Sequence, residues 1–206
     1  MKHAYVFPGQ GSQFPGMGKA IVEQSEAAKK LVEQANTQLG FDLAKPLIFI
    51  FGGSQGSVAL NQVIADSRSA LLAQGIQILH GIGACNEAPA EVEGYQPRGY
   101  ITDMATAYLG ADLIISRSGA VTCAEVNTLG RYALFIPLPI GNGEQELNAR
   151  DLVSQSRAEI LPQREFTASW LTTQIQRLLS QSSTAPIAGS DIDINAASKM
   201  VSLMEH

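Results

Sequence analysis

Cysteine is scarce in this 206-residue sequence, which contains only Cys85 and Cys123. The two residues lie far apart, and neither has a histidine nearby at the spacing of a metal-ligand pair. The sequence therefore supports neither a disulfide framework nor a zinc site. We interpret both thiols as buried or incidental, and we expect no bound metal and no cofactor.

Basic charge is also sparse. Fourteen Lys and Arg residues stand against nineteen Asp and Glu residues, which gives a formal net charge of −5, and the basic residues form no run. A nucleic-acid surface and a polybasic membrane patch are therefore not expected. The expected partner is a small molecule or another protein.

Long apolar runs are missing as well. The longest, YALFIPLPI at residues 132–140, contains two prolines and has about half the length that a bilayer-spanning helix needs. The amino terminus lacks the charged region followed by an apolar region that is typical of a signal peptide. We therefore expect a cytoplasmic protein without a transmembrane segment.

The sequence does contain alternating strand-like and helix-like segments. Hydrophobic residues make up 45% of the chain, which is enough to bury a core. Four short runs rich in β-branched and aromatic residues are typical of strands buried on both faces of a parallel sheet. These runs are LIFIF, IQILH, DLIIS and YALFI, and helix-like segments lie near 57–73, 103–109, 119–129, 145–156 and 167–181. The alternation predicts an α/β fold with a Rossmann-like, doubly wound parallel sheet.

The two ends of the chain have their own patterns. Residues 3–7 predict a short strand, and residues 19–39 carry apolar side chains at helical spacing. At the other end, residues 182–191 predict a linker, and the residues after it, up to 206, predict a short closing helix.

Two glycine-rich turns follow apolar runs, namely FPGQGSQFPGMG at 7–18 and FGGSQG at 51–56. Such loops present backbone amides to an anion or hold a nucleophile. Ligands of doubly wound sheets bind at the carboxyl ends of the strands, where both loops would lie.

A third segment, RSGAVTCAE at 117–125, follows the strand DLIIS and opens a predicted helix. Its first residues would offer free backbone amides to an anion. Glu125 would accept hydrogen bonds from a vicinal diol such as a ribose. A structural alternative is a capping box, in which Thr122 and Glu125 serve only the first turn of the helix.

GGSQG also fits the G-x-S-x-G pattern of serine hydrolases and acyltransferases, in which a strand-to-helix turn exposes the nucleophile. In this alternative Ser54 is the nucleophile, and the base is His80 or His206. Labelling by a serine-reactive fluorophosphonate would favour it, and we expect none.

Three segments occur together and in order: GGSQG after LIFIF, YITDMATAYLGADLIISRSGAVTCAE, and ALFIPLPIGNGEQELNAR. Through them, residues 46–181 resemble the carboxyl-terminal, donor-binding half of the bacterial glycosyltransferases that form lipid II. Those enzymes transfer N-acetylglucosamine from UDP to the lipid-linked muramyl-pentapeptide. The resemblance implies a GT-B architecture, in which the second Rossmann-like domain binds UDP-N-acetylglucosamine without a bound metal.

The resemblance also implies which residues contact each part of the nucleotide sugar. The pyrophosphate would lie beside Ser54, Gln55 and Gly56, and the phosphates would also face Ser118, Gly119, Ala120 and Thr122. The uracil would be framed by Tyr100, Ile101 and Met104. The ribose would contact Glu125, and the sugar would contact Glu144, Gln145 and Asn148. No residue of the chain is expected to be catalytic. One departure is the pair Arg131 and Tyr132, where the family usually has a small or apolar residue and proline, so a larger group is expected near the site.

The first part of the chain, AYVFPGQGSQFPGMGKAI and SEAAKKLVEQANTQLGFDL, is similar to another family. It resembles the amino terminus of the malonyl transacylases that load acyl carrier protein, in which the residue matching Gln10 helps to form the oxyanion hole. The nucleophile elbow of that family is absent, so FPGQGSQ is interpreted as a leftover turn. The chain is thus interpreted as a chimera joined at Lys45 and Pro46, with homo-oligomerisation by strand exchange as one consequence.

The expected function is binding of UDP-N-acetylglucosamine or UDP without transfer, because no acceptor motif of the form G-x-G-G-H occurs in the chain. Three alternatives stay open at this stage. They are a complete transferase formed with another chain, a serine hydrolase or acyltransferase, and a structural chimera without a ligand.

Overall fold

The computed structural model describes residues 37, 40–139 and 142–185. In these residues six strands form one parallel sheet in the order β3-β2-β1-β4-β5-β6. Along the chain the elements are β1 (Leu47–Phe51), α1 (Val58–Ala73), β2 (Gln77–Gly81), β3 (Tyr95–Arg98), α2 (Met104–Gly110), β4 (Leu113–Ser116), α3 (Ala120–Thr128), β5 (Ala133–Phe135), α4 (Glu144–Ser154), β6 (Ala158–Ile160) and α5 (Ala168–Thr184). The predicted α/β, doubly wound parallel sheet is confirmed.

The central strand β1 supplies apolar side chains to both faces of the sheet, as the continuous run LIFIF predicts. Its residues Ile48 and Ile50 belong to the core beneath α1 and α5, and the two helices also pack against each other. Its residues Leu47, Phe49 and Phe51 belong to the opposite core, beneath α2, α3 and α4. Because successive side chains of a strand point to opposite faces, one five-residue strand anchors both helical layers.

The four predicted strands are present within one residue of the predicted limits, but β3 and β6 were not predicted. Strand β3 has the sequence YQPR, and its proline is compatible with the edge position that it takes. Strand β6 has three residues, AEI, and forms the other edge. Polar or very short edge strands carry no apolar run, so the periodicity of the sequence does not reveal them.

Local sequence signals fix the starts of three helices. Ser57, Asp103 and Thr167 precede α1, α2 and α5, and each side chain accepts a hydrogen bond from the backbone N–H three residues later. Helix α5 continues to Thr184. The predicted linker of residues 182–191 therefore begins too early, since its first three residues are helical.

The segment just before β1 packs onto the sheet. Phe41 is buried in the core beneath α2 and α3. The side chain of Gln77 receives a hydrogen bond from the backbone N–H of Asp42 and donates to the carbonyls of Asp42 and Lys45, at 2.8–3.1 Å. The predicted junction at Lys45 and Pro46 therefore does not coincide with a break in packing.

Other predictions for the chain ends lie outside the described residues. These are the strand at residues 3–7, the helix at 19–39 except for residue 37, and the closing helix after the linker. Within residues 37, 40–139 and 142–185, no helix has the length and apolar character needed to cross a membrane.

Strand order determines where a ligand can bind. The chain moves outward from β1 to β2 and β3, then returns to β4 on the other side of β1 and continues to β5 and β6. The loops after β1 and β4 therefore diverge at the carboxyl edge of the sheet and leave a crevice between them, the usual ligand position in open α/β sheets. Both FGGSQG and RSGAVTCAE reach this crevice.

Candidate functional site

Two adjoining cavities occupy the crevice between the loops after β1 and β4. The first has a volume of about 290 Å³ and the second about 500 Å³. Gly53 and Thr122 line both cavities, so the two meet at these residues. The first also reaches the loops after β2 and β3, whereas the second lies over the first residues of α1 and the start of α4.

The first cavity contains six of the predicted site residues. Its walls include Ser54, Tyr100, Ile101, Met104, Thr122 and Glu125. Tyr100 is 57% exposed, while Ile101 and Met104 are half-buried against the apolar core on that face of the sheet. A partly apolar cavity with few polar groups is suited to a flat, weakly polar ring.

Glu125 is the buried carboxylate of this cavity, with only 7% of its surface exposed. It accepts a 2.8 Å hydrogen bond from the hydroxyl of Tyr108. Burial raises the pKa of Glu125, and the hydrogen bond from Tyr108 opposes that rise. The same burial, together with the neighbouring carboxylate, raises the pKa of the Tyr108 hydroxyl, which therefore stays protonated as the donor.

The capping-box interpretation of Thr122 and Glu125 is wrong. Helix α3 begins at Ala120, its N-cap residue is Gly119, and no side chain caps it. Thr122 is already inside the first turn, where its side chain faces both cavities. Glu125 turns towards Tyr108 and the first cavity, so both side chains are directed at the crevice.

The glycine loop after β1 is held by close backbone packing against the loop after β2. Gly56 and Gly83 both have positive φ angles, of 77° and 95°, and a Cβ on Gly83 would lie 2.3 Å from the backbone of Gln55. The side-chain amide of Asn86 donates to the carbonyls of Gln55 and Ile82, at 3.1 and 2.8 Å. These contacts fix the path of the loop without using the side chain of Ser54.

Of the predicted glycine-loop residues, Ser54 lines the first cavity and Gly56 the second. Gln55 lines neither: its side chain is exposed, and its Oε1 lies 3.5 Å from the Sγ of Cys85. Cys85 is exposed and Cys123 is buried, and burial raises the pKa of Cys123 to about 12.

The second cavity brings together the start of α1, the start of α3 and the loop after β5. Gly119 and Gln145, two of the predicted site residues, line it. The Oε1 of Gln145 accepts a 3.0 Å hydrogen bond from the backbone N–H of Leu138, and within the described residues its side-chain NH₂ has no hydrogen-bond partner. Arg117 also lines this cavity. No role was assigned to Arg117 from the sequence, although its position directly after a buried strand and before Ser-Gly was a usable signal.

Besides Gln55, four predicted residues line neither cavity. Ser118 is fully buried, and its Oγ has no hydrogen-bond partner within the described residues. Its carbonyl accepts a 3.1 Å hydrogen bond from the Nδ2 of Asn148, so Asn148 connects α4 to the turn before α3. Ala120 is exposed at the first position of α3, and Glu144 is exposed in the first turn of α4.

The serine-hydrolase alternative lacks a free histidine base within the described residues. Both ring nitrogens of His80 are engaged, Nδ1 with the hydroxyl of Tyr95 and Nε2 with the Oδ1 of Asn61, each at 3.1 Å. Burial, with a smaller effect of Arg68, lowers the pKa of His80 to about 4. Ser54 precedes the N-cap of α1 by three residues, so it is not on a tight strand-to-helix elbow. His206 lies outside the described residues.

The expectation that Arg131 and Tyr132 place a larger group near the site is wrong. They precede β5, at the edge of the sheet opposite the crevice. Arg131 donates to the carbonyl of Leu109 at the end of α2, and the hydroxyl of Tyr132 donates to Glu159 at 2.7 Å. Both residues therefore brace the amino-terminal edge of the sheet.

No group of three or more His, Cys, Asp or Glu side chains arranged to hold a metal ion occurs in residues 37, 40–139 and 142–185. The polar groups at the crevice are therefore hydroxyls, amides, backbone N–H groups, one carboxylate and one guanidinium. Such a set suits hydrogen bonding to a polyhydroxylated anion.

Known proteins match most of the chain. The UDP-N-acetylglucosamine--N-acetylmuramyl-(pentapeptide) pyrophosphoryl-undecaprenol N-acetylglucosamine transferase of Corynebacterium efficiens is 37% identical over 179 residues, which cover 85% of this chain and 50% of that protein. The transferase of the same name from Corynebacterium diphtheriae is 42% identical over 176 residues, covering 84% and 49%. This chain therefore spans about half the length of the curated relatives that it matches.

Solved structures agree with these relatives. The crystal structure of Acinetobacter baumannii MurG superimposes with a TM-score of 0.63 at 31% identity, covering 84% of this chain and 52% of that one. CalG4, the calicheamicin glycosyltransferase, matches with a TM-score of 0.57 at 12% identity, which shows a shared fold alone. The predicted GT-B-type fold and the resemblance to transferases of N-acetylglucosamine are confirmed. Residues 47–205 match the glycosyltransferase family 28 C-terminal domain, and the chain belongs to that family.

Proposed function

We propose that the two cavities bind the UDP part and the sugar of UDP-N-acetylglucosamine. The observation that carries this proposal is Glu125, a buried carboxylate on the wall of a cavity at the switch point of the sheet. A carboxylate that is costly to bury is retained where a ligand donates hydrogen bonds to it, and a ribose diol supplies two such donors.

The first cavity is assigned to the uridine. Tyr100, Ile101 and Met104 form its apolar side and would contact the uracil, with the backbone of Ile101 reading its polar edge. Glu125 would accept hydrogen bonds from the ribose hydroxyls. The mixture of apolar walls and one buried acid supports a nucleoside more than a plain sugar.

The diphosphate is assigned to the region where the two cavities meet. Ser54, Gly56 and Thr122 lie on its border, and Ser118, Gly119 and Ala120 bring the amino end of α3 to it. Helix amino termini offer unpaired N–H groups and a positive partial charge, which favour phosphate oxygens. Gln55 would contribute its backbone, since its side chain faces Cys85.

The sugar is assigned to the second cavity. Gln145 lines it directly, and its NH₂, which has no partner in the described part of the chain, would donate to a sugar hydroxyl. Glu144 lies at the exposed start of α4, beside this cavity. Asn148 donates one hydrogen bond to the carbonyl of Ser118, and it would contact the sugar through the other polar positions of its amide.

Binding and transfer are separate proposals. The relatives are named as transferases of N-acetylglucosamine, and this chain corresponds to about half of their length. We expect the 206-residue chain by itself to bind the donor without transferring it, because transfer requires an acceptor held against the donor.

The amino-terminal segment is proposed to have no part in donor binding. Residues 1–45 keep their resemblance to transacylases as a sequence prediction, including the chimeric origin and strand exchange between copies. Gln10→Ala and Ser12→Ala are expected to leave the affinity for UDP unchanged, measured by calorimetry. A large loss in either variant would contradict this part of the proposal.

Calorimetric titration with UDP and UDP-N-acetylglucosamine tests the donor site. The full chain is expected to bind both, and Glu125→Ala is expected to weaken binding by about tenfold or more, as loss of charge-assisted hydrogen bonds implies. Glu159→Gln is the matched control, because Glu159 also accepts a hydrogen bond from a tyrosine but lies away from both cavities. Absence of binding at millimolar ligand would refute the proposal.

A further inference from the structure

Arg117 is a buried cation on the wall of the second cavity. Only 9% of its surface is exposed, and it directly follows the last residue of β4. Its Nη1 donates to the carbonyls of Ile136 and Pro137, at 2.9 and 3.2 Å. Its Nη2 donates to the Oγ of Ser57 and the Oε1 of Gln163, at 2.8 and 2.6 Å. One guanidinium thus connects the loops after β1, β4, β5 and β6.

All four of these acceptors are neutral. Among the described residues, no acidic side chain forms an ion pair with Arg117. Burial lowers its pKa, as expected for a cation removed from water without a counter-ion. Hydrogen bonds orient such a cation, but they do not cancel its charge.

A second buried arginine, Arg157, has a structural role and serves as a comparison for Arg117. Arg157 is 1% exposed and donates to the carbonyls of Val126 and Asn127 in the last turn of α3. The negative end of that helix dipole compensates its charge. Arg117 lies instead among the amino ends of α1 and α3, which border the same cavity and carry positive partial charge. Unlike the helix end beside Arg157, the helix ends beside Arg117 therefore do not compensate its charge.

We propose that Arg117 is a specificity-determining residue that makes the site prefer a nucleoside diphosphate to the nucleoside alone. The inference rests on the proposed donor site and goes beyond it by assigning the charge selectivity to one residue. Both terminal nitrogens of Arg117 already donate hydrogen bonds to protein acceptors. Arg117 is therefore a positioning residue, which acts through its charge and through its hydrogen bond to Ser57. The Ser57 Oγ also caps α1, which holds the amino end of that helix towards the cavity.

The test measures the affinities for uridine and for UDP in the full chain and compares their ratio between variants. Arg117→Met removes the charge, and we expect the preference for UDP over uridine to fall about tenfold or more, the scale of a charge interaction at an effective dielectric near 20. Arg117→Lys keeps the charge, and its preference is expected to stay within about threefold of the unmodified chain. Arg157→Met is the control: it lowers thermal stability but keeps the preference.

A further variant covers the case in which Arg117→Met does not fold. Gln163→Glu places a carboxylate where the 2.6 Å amide acceptor of Arg117 now lies, so it neutralises the cation while preserving the contact. Gln163 lines neither cavity. We expect weaker UDP binding with uridine binding unchanged, because only the diphosphate interacts with the lost charge.

The outcomes separate this inference from the donor site itself. The role of Arg117 would be overturned if the preference for UDP over uridine were unchanged both in Gln163→Glu and in any folded neutral variant at Arg117. The proposed donor site would survive that result, because uridine and UDP would still bind. An equal loss in Arg117→Met and Arg157→Met would also overturn it, because the effect would then be structural. Failure of the unmodified chain to bind either ligand would refute the donor site, and with it the inference.

Discussion

At the scale of the residue, Glu125 combines a cost to stability with a proposed role in binding. Its pKa is raised by burial, so the folded state holds the proton more tightly than the unfolded state does. The stabilising contribution of the protonated form is complete below the unfolded pKa and is lost as the pH rises through the folded pKa. Above the folded pKa, the ionised carboxylate therefore lowers the stability of the free protein.

Glu125→Gln is expected to raise the free energy of unfolding relative to the unmodified chain, because Gln keeps an acceptor for Tyr108 and removes the buried charge. The difference in the free energy of unfolding between the variant and the unmodified chain should increase as the pH rises from acidic values. It should become constant above the folded pKa of Glu125. Urea denaturation between pH 4 and pH 8 measures it, and UDP affinity should fall in the same variant. A stability gain of Glu125→Gln over the unmodified chain that is smaller at neutral pH than at acidic pH would contradict this account.

His80 gives the opposite dependence on pH. Its pKa is lowered to about 4 by burial and, to a smaller extent, by Arg68. A lowered pKa in the folded state means that stability is full above the unfolded pKa and is lost as the pH falls. From pH 6.5 to about 4, this one group is expected to remove about 3 kcal/mol from the free energy of unfolding.

His80→Gln tests this expectation, since Gln can engage both Asn61 and Tyr95 but does not titrate in this range. Urea denaturation at several pH values should give a slope shallower by one proton than that of the unmodified chain. Parallel curves would show that His80 is not the titrating group.

The sequence predicted the positions of Thr122 and Glu125 better than it predicted the hydrogen-bond partner of the amide Asn148. Thr122 and Glu125 reach the cavities because the motif, the strand before it and the helix after it fix their positions. Asn148 was expected to contact the sugar, but its side-chain NH₂ donates a hydrogen bond to the carbonyl of Ser118. An amide can bond to almost any polar partner, so its partner depends on how α4 packs against the turn before α3.

At the scale of the element, the glycine loop after β1 depends on the loop after β2. A Cβ on Gly83 would lie 2.3 Å from the backbone of Gln55 and Gly56. Gly83→Ala is therefore expected to displace the glycine loop and to lower UDP affinity by about tenfold or more. Its positive φ adds a strain of roughly 1–2 kcal/mol.

Gly75→Ala is the matched control for that prediction. Gly75 also has a positive φ, of 78°, at the end of α1, but a Cβ there would meet nothing within 4 Å. Both variants should lose stability through strain, while UDP affinity, measured by calorimetry, should fall only in Gly83→Ala. Equal affinities would show that the loop after β2 does not control the site.

The elements themselves were predictable where burial on both faces imposes a continuous apolar run. Strands β1, β2, β4 and β5 meet that condition, and the helices near them follow helical spacing. The edge strands β3 and β6 do not, because an edge strand has a neighbour on one side only and tolerates polar residues and proline.

At the scale of the whole molecule, the packed domain begins before the junction that the sequence suggests. Phe41 is buried, and Gln77 connects Asp42 and Lys45 to β2. Removing residues 1–45 is expected to lower the free energy of unfolding by about 2–3 kcal/mol or more, through loss of the Phe41 side chain and these hydrogen bonds.

Removal of residues 1–36 is the companion truncation. It keeps Phe41 and should leave UDP affinity unchanged if the first segment has no part in the site. Thermal unfolding and calorimetry of the two shortened chains check both statements. Equal stability of the two truncated chains would show that residues 37–45 contribute nothing to the fold.

The sequence by itself determined the doubly wound α/β class, the loops that form the crevice and nine of the residues on its walls. It could do so because apolar periodicity and short glycine motifs depend on local geometry. Tertiary structure alone decided that Arg117 is buried with no counter-ion among residues 40–139 and 142–185, that Asn148 bonds to Ser118, and that Arg131 and Tyr132 lie at the far edge. These facts depend on which loops meet after the sheet has formed, and distance along the chain does not encode them.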